Sequence, residues 1–248
     1  MFIINICNKN KIDLNKKYMD NTNINNMSSQ IISIEGNIGS GKSSFLSYLK
    51  ERFGQNENIV FIKEPVDEWE SIVDEQGKSM LQKFYEDPKR YSFSFQMMAY
   101  ISRLAIMLDA IKTSPKYIIT ERCLLTDKFI FAKMLFDEGK IEKVEYDIYN
   151  KWFNVFSKTL TINEIVYIKS DPKICIDRIK KRGRNGEESI SLDYISKCHQ
   201  YHESYIQEIQ KTLPSITINE IDGNLEVNHT SNYIYDEWIL SLNTKLVD

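Results

Sequence analysis

Little in this chain bends or staples a backbone. Glycine and proline number 9 and 5 of 248 residues, about half their usual combined share, which removes collagen-like and low-complexity classes. Hydrophobic residues at 42% and aromatics at 12% exclude a mostly disordered chain. The four cysteines, Cys7, Cys123, Cys175 and Cys198, form no C-x-x-C pair, and none stands at metal spacing from a histidine. A disulfide scaffold and a zinc module drop out, no stretch resembles a secretory signal peptide, and a reduced intracellular compartment is expected. Positive charge is not in surplus either. Lys and Arg number 32 against 35 Asp and Glu, net −3, so neither nucleic acid nor an anionic membrane is an expected partner. Apolar runs are broken at Glu35, Lys63 and Lys169 before the ~18 residues a membrane span needs. What remains is a packed, helix-rich globule, and one α/β domain is the default at about 150 residues per domain.

Residues 1–29 are rich in Asn, Lys and Ser, show no helical or strand period, and are read as a disordered tail. They hold no Arg but do hold Asp13 and Asp20, unlike an Arg-rich, acid-poor transit peptide, so a cytoplasmic location is favoured over a mitochondrial one. Residues 30–248 are read as one domain. Within it short apolar runs at 31–35, 59–63, 117–120, 165–169 and 215–219 alternate with helical stretches at 43–53, 92–113, 126–137, 143–157, 172–181, 192–211 and 233–242. That alternation predicts a five-stranded, doubly wound parallel sheet with helices on both faces. Ligands of such sheets sit outside the carboxyl ends of the strands, so the residues following each strand matter most.

The first strand is followed by Gly36-Asn37-Ile38-Gly39-Ser40-Gly41-Lys42-Ser43, a full G-x-x-x-x-G-K-[ST] match between strand and helix. Glycines let backbone N–H groups turn towards phosphate, the helix N-terminus adds positive field, Lys42 reaches the β and γ oxygens, and Ser43 can ligate Mg²⁺. The second strand is followed by Lys63-Glu64-Pro65-Val66-Asp67-Glu68-Trp69, and the third ends in Thr120-Glu121-Arg122. Two acids and a cation therefore converge on the phosphate end of the sheet. Glu64 can take a proton from an attacking hydroxyl, Arg122 can meet charge on a transferring phosphoryl, and Glu121 can orient Mg²⁺ or compete for the role of base. The helix after the fourth strand runs into Arg178, Lys180, Lys181, Arg182 and Arg184 around Gly183, a segment able to close over a triphosphate.

These motifs, together with Ser44, Phe95-Gln96 and Glu187, resemble the deoxyribonucleoside kinase family in order and spacing over about residues 31–205. The resemblance implies a P-loop nucleoside kinase with an Arg-rich lid, a homodimer, and Mg²⁺-dependent transfer of the γ-phosphoryl of ATP, or another NTP, to the 5′-hydroxyl of a deoxynucleoside. It implies Glu64 as the base, Arg122 as the arginine that positions the hydroxyl, and Glu121 as the magnesium-side carboxylate. Tyr85 and Glu187 would hold the sugar 3′-hydroxyl, while Trp69, Phe84, Phe95 and Phe131 wall the nucleobase. Arg178, Arg182 and Arg184 match the lid arginines, and Asn224, Leu225 and Glu226 match, weakly, a loop that packs on adenine.

Gln96 presents an amide donor and acceptor suited to a base edge. Arg103 follows two helical turns later on the same face, with Asp127 after the third strand. An Arg and Asp pair beside the base resembles the deoxycytidine, deoxyguanosine and deoxyadenosine kinase branch, whereas thymidine-preferring members carry smaller or apolar residues there. Two departures stand out. Glu121-Arg122-Cys123 replaces the family's Glu-Arg-Ser, which loses a hydroxyl next to the transferred phosphate and is expected to lower turnover or to leave an oxidisable thiol. Gly186 replaces the first of two lid acids, so that Glu188 is expected to share or take over the sugar contact of Glu187. The alternatives are a thymidylate-type nucleoside monophosphate kinase and a GTP-dependent switch reading guanine through Asn-Lys-x-Asp.

Overall fold

The computed structural model describes residues 29–157, 160–225 and 233–247; the tail reading of 1–29 falls, except for Ser29, outside them. Five strands, β1 (Gln30–Gly36), β2 (Ile59–Ile62), β3 (Tyr117–Glu121), β4 (Glu164–Lys169) and β5 (Thr217–Asp222), form one sheet in the order β2-β3-β1-β4-β5. Every pairing is parallel. The three inner strands β1, β3 and β4 are buried on both faces, as their near-continuous apolar runs require, while the edge strands β2 and β5 are partly open. Ile32 and Ile34 of β1 point to a layer holding Phe45, Leu49, Tyr235 and Trp238, from α1 (Lys42–Phe53) and the C-terminal helix Tyr233–Val247. Ile31 points to the opposite layer, with Met107, Ile130, Tyr205 and Ile209.

Between β2 and β3 lie α2 (Val66–Ser71), α3 (Met80–Glu86) and the long α4 (Pro88–Lys112). After β3 come α5 (Leu124–Thr126), a π-helical segment (Asp127–Ala132) and α6 (Lys133–Asp137), followed by α7 (Lys143–Phe156). Then α8 (Pro172–Arg182) ends in a lid with a 3₁₀ turn (Glu187–Ser189), and α9 (Leu192–Thr212) leads into β5, leaving Tyr233–Val247 as α10.

The expected strands and long helices are present, with shifted ends. β2 stops at Ile62, leaving Lys63 and Glu64 free of the ladder, and β5 runs on to Asp222 where 215–219 was expected. α4 starts at Pro88 because Asp87 caps it, its side chain accepting from Arg90 N. α2 and α3 are too short to show a helical period, though Ser79 and Gln82 form a capping box at the start of α3. Stretch 126–137 is broken by the π segment, whose extra residue per turn is common at functional sites.

Phe45 is fully buried, stacked on Tyr235 at 4.1 Å between ring centroids and edge-on to Trp238 at 5.6 Å. Phe45→Ala should therefore lower unfolding free energy by about 3–5 kcal/mol in a urea melt, whereas Leu240→Ala, at a largely exposed position, should change it by no more than about 0.5 kcal/mol.

Candidate active site

The loop between β1 and α1 has room for backbone and nothing else. A Cβ on Gly36 (φ +145°) would lie 2.4 Å from the Ile168 carbonyl oxygen, and one on Gly39 (φ +80°) 2.5 Å from that of Cys175. The Asn37 side chain fixes the loop, donating to the Ile195 carbonyl at 2.8 Å and accepting from Ile38 N at 2.8 Å. Lys42 is buried and donates to the Asn37 carbonyl at 2.7 Å. Burial above all, and then the charge of Arg122, bring its pKa down to about 8 against the opposing pull of Glu121, Glu64 and Glu35. Ser43 donates to Glu121 Oε1 at 2.6 Å, while Glu121 Oε2 is buried without a hydrogen-bond partner among the described residues.

Charge is concentrated at the ends of β2 and β3. Arg103, 1% exposed, donates from Nε to Asp127 Oδ2 at 2.9 Å, from Nη1 to the Glu121 carbonyl at 2.9 Å and from Nη2 to Glu64 Oε1 at 2.9 Å. Arg122 Nε lies 3.3 Å from the same Glu64 oxygen. Burial would raise the Glu64 pKa, but Arg122, Arg103 and Lys42 together outweigh it and hold the carboxyl at about 2. Asp127 goes the other way, since burial raises its pKa more than Arg103 lowers it. Arg122 has a left-handed backbone (φ +63°), rare for a residue with a Cβ, and is pinned by its N–H on the Ile34 carbonyl at 3.0 Å.

One cavity of about 1230 Å³ joins these groups to an aromatic cleft and the lid. Phe84 and Phe95 stack at 4.5 Å, Trp69 stands edge-on to Phe95 at 5.5 Å, and Trp69 Nε1 donates to Ser102 Oγ at 2.9 Å. Gln96 is buried among them, its Oε1 without a partner among the described residues. In the lid, Glu187 is buried and bound by Arg182 Nη2 at 2.7 Å and Arg184 Nη1 at 3.2 Å. Burial, and then Glu187, push the Tyr85 hydroxyl well above the usual tyrosine range, so it stays protonated.

The family model described as Deoxynucleoside kinase matches residues 32–241. The chain belongs to the deoxynucleoside kinase family. It is 35% identical over 204 residues to a probable deoxycytidine kinase of Fowlpox virus (strain NVSL), covering 81% of this chain and 82% of that one. It is 36% identical over 196 residues to the deoxycytidine kinase of Homo sapiens, covering 71% and 74%, and 30% identical over 224 residues to a mitochondrial deoxyguanosine kinase of Xenopus laevis, covering 79% and 83%. This family membership removes the monophosphate-kinase alternative and the switch. Asn-Lys-x-Asp does occur, as Asn10-Lys11-Ile12-Asp13, ahead of the P-loop and outside the described residues.

The kinase's expected site residues mostly share the one cavity. Ile38 to Ser44 in the P-loop, Glu64, Trp69, Phe84, Tyr85, Phe95, Gln96, Arg103, Glu121, Arg122, Asp127, Phe131, Arg178, Arg182, Arg184, Glu187, Asn224 and Leu225 all line it. Gly36 and Asn37 are not among its lining residues, Gly36 being packed on the Ile168 carbonyl and Asn37 hydrogen-bonded within the loop and to Ile195, and Glu226 lies outside the described residues. Arg178 donates to the Gly223 carbonyl at 2.7 Å and the Leu225 carbonyl at 3.2 Å, so here it ties down the 223–225 loop. Phe131 carries the Arg122 guanidinium 4.8 Å above its ring as well as facing the cavity.

Both departures resolve. The Cys123 thiol is buried, and burial, followed by Glu35, pushes it up to about 12, so it is not the reactive thiol expected of it. Gly186 (φ +87°) rests on α3, where a Cβ would lie 2.6 Å from Gln82 Cγ. Glu188 is exposed and off the cavity, so the inward acid is Glu187 alone. Sequence reasoning missed Tyr194, which lines the cavity, Glu35, which accepts from Cys123 N, and His202, whose ring lies against the Arg122 guanidinium. His202 was visible only as a polar residue on the buried stripe Ile195, Cys198, His202, Ile206, Ile209 of α9.

Glu64→Gln should lower kcat by about 10²- to 10⁴-fold with little change in ATP affinity, measured by steady-state kinetics and nucleotide titration. The pH profile should follow Lys42. Its charged form is the one that meets phosphate, so kcat/KM for the NTP should fall as pH rises through about 8, with no acid limb from Glu64, which stays ionised down to about 2. A profile flat to pH 10 would contradict the lowered Lys42.

Proposed function

We propose that this kinase transfers the γ-phosphoryl of ATP, or another NTP, to the 5′-hydroxyl of deoxycytidine, deoxyguanosine or deoxyadenosine in preference to thymidine, as a Mg²⁺-dependent cytoplasmic homodimer of nucleotide salvage. The observation that carries the base preference is the buried Arg103–Asp127 pair, which lines the same cavity as the unpartnered Gln96 Oε1. A buried acceptor without a donor costs about 1–3 kcal/mol. Cytosine, adenine and guanine each present an exocyclic amino group, which can donate to Gln96 Oε1 and to a remaining lone pair of Asp127; thymine has no amino group and offers a single ring N–H flanked by two carbonyl acceptors, so it leaves the second of these acceptors unserved. The names of the deoxycytidine and deoxyguanosine kinase relatives agree with this reading.

The chain's own groups divide the reaction between them. The loop amides and Lys42 hold the phosphates, and the aromatic cleft holds the base. Glu64 takes the 5′-hydroxyl proton as that oxygen bonds to the γ-phosphorus and the bond to the bridging β,γ-oxygen breaks, releasing ADP. A carboxylate held near 2 is a weak base, which suits a loose transition state where the proton leaves late. Arg122 meets the charge on the transferred phosphoryl. As Arg182 and Arg184 turn to the triphosphate, Glu187 is freed to join Tyr85 on the 3′-hydroxyl. Ser43 and the unpartnered Glu121 Oε2 fit a divalent cation, which when bound would neutralise charge on the β and γ oxygens. A second copy of the chain is supported by Ile101 on α4 and the stripe Val144, Ile148 and Trp152 on α7, all exposed.

The test is ADP release with Mg-ATP and each of the four deoxynucleosides, run beside the corresponding monophosphates. Turnover should be confined to the nucleosides, with thymidine last; turnover confined to monophosphates would overturn the reading. Arg103→Met with Asp127→Ala should shift the ranking towards thymidine. Because Arg103 also holds Glu64, the rate on every base should drop, so the ratio between bases is the readout, and an unchanged ranking would remove the pair from base selection.

A further inference from the structure

We infer that His202 is a positioning residue for phosphoryl transfer, orienting the Arg122 guanidinium by accepting a hydrogen bond from it. The inference rests on the proposed role of Arg122 at the 5′-hydroxyl and transferred phosphoryl. His202 lies on α9 and is fully buried. Its Nδ1 is 2.6 Å from the Cys198 carbonyl oxygen and its Nε2 is 3.3 Å from Arg122 Nη1. A carbonyl only accepts and a guanidinium only donates, so the two neighbours select one form of the ring: proton on Nδ1, bare lone pair on Nε2. Burial first, and then the charge of Arg122, keep the imidazole neutral by holding its pKa well below the usual histidine range.

The ring has little freedom to turn away. Tyr167 lies nearly parallel to it at 6.3 Å between centroids and 12° between planes, and Phe131 meets it edge-on at 6.1 Å. Phe131 also lies under the Arg122 guanidinium. Arg122 is thus supported by Glu64 at Nε, by His202 at Nη1 and by Phe131 across its face. Such lateral support matters because the side chain leaves a strained backbone, and a misplacement of about 1 Å can cost about 10²-fold in rate. The three supports are not equivalent. A carboxylate steadies a guanidinium by neutralising it, whereas a neutral acceptor fixes its direction and leaves its charge for the phosphoryl.

The test compares His202→Gln with His202→Asn. Gln can place an acceptor where Nε2 stood; Asn can still serve the Cys198 carbonyl from the position of Nδ1 but stops short of Arg122. With ATP and deoxynucleoside saturating, His202→Asn should lower kcat about 10- to 100-fold with the KM for ATP changed less than about 2-fold, and His202→Gln should recover to within about 3-fold of the starting enzyme. In an Arg122→Met background, His202→Asn should have no further effect, because its target is gone. A Gln variant no better than the Asn variant, or an Asn effect of equal size in the Arg122→Met background, overturns the role of His202 while leaving that of Arg122 intact. Near-normal kcat for Arg122→Met alone overturns the reading of Arg122 itself.

Discussion

Arg103 is the charge around which this site is assembled. An isolated guanidinium removed from water is very costly, and here Asp127, Glu64 and the Glu121 carbonyl surround it. The same three contacts fix the distance between the residue proposed to read the base and the residue proposed to take the proton. Glu64, beyond the last ladder bond of β2, owes its position to Arg103 and Arg122 more than to the sheet. The resting lid follows the same rule, since Arg182 and Arg184 neutralise Glu187 until something else claims them.

The sheet sets where this charge can collect. Parallel pairing of β1 with β3 and β4 brings the P-loop, the Glu121-Arg122 turn and Ser170 to one edge. Two-residue alternation along β1 turns Ser33 and Glu35 to the side of Ile31, where Glu35 accepts from Ser33 Oγ at 2.6 Å and from Cys123 N at 3.1 Å. Those bonds, with Arg122 N on the Ile34 carbonyl, hold the chain through its left-handed turn after β3. Backbone strain of about 1–3 kcal/mol at such a position persists only where its surroundings over-determine it.

Most of this was legible in the residues, because the chemistry is carried by short motifs whose spacing survives translation into three dimensions. The P-loop, Glu64 after β2 and Glu121-Arg122 after β3 required only that strands be recognised. Arg103 and Asp127 read as a pair, while the contact of Arg103 with Glu64 is legible from neither position. Other features had no local signal. α2 and α3 are too short to show a period, and the π segment that begins at the buried Asp127 has no period of its own to read. The mutual neutralisation of Glu187 and the lid arginines depends on how α8 ends, not on composition. In the sequence His202 is one polar residue on an apolar stripe, and only the fold brings it beside Arg122.

The most direct test of this account is a crystal structure with deoxycytidine and a non-hydrolysable ATP analogue bound together. The account predicts the 5′-oxygen within about 2.6–3.2 Å of a Glu64 carboxylate oxygen and beside Arg122, the Arg103–Asp127 pair intact against the base, and Arg182 and Arg184 moved from Glu187 to the triphosphate. A 5′-oxygen seated on Glu121, with Glu64 turned away and Glu187 still held by the lid arginines, would contradict it.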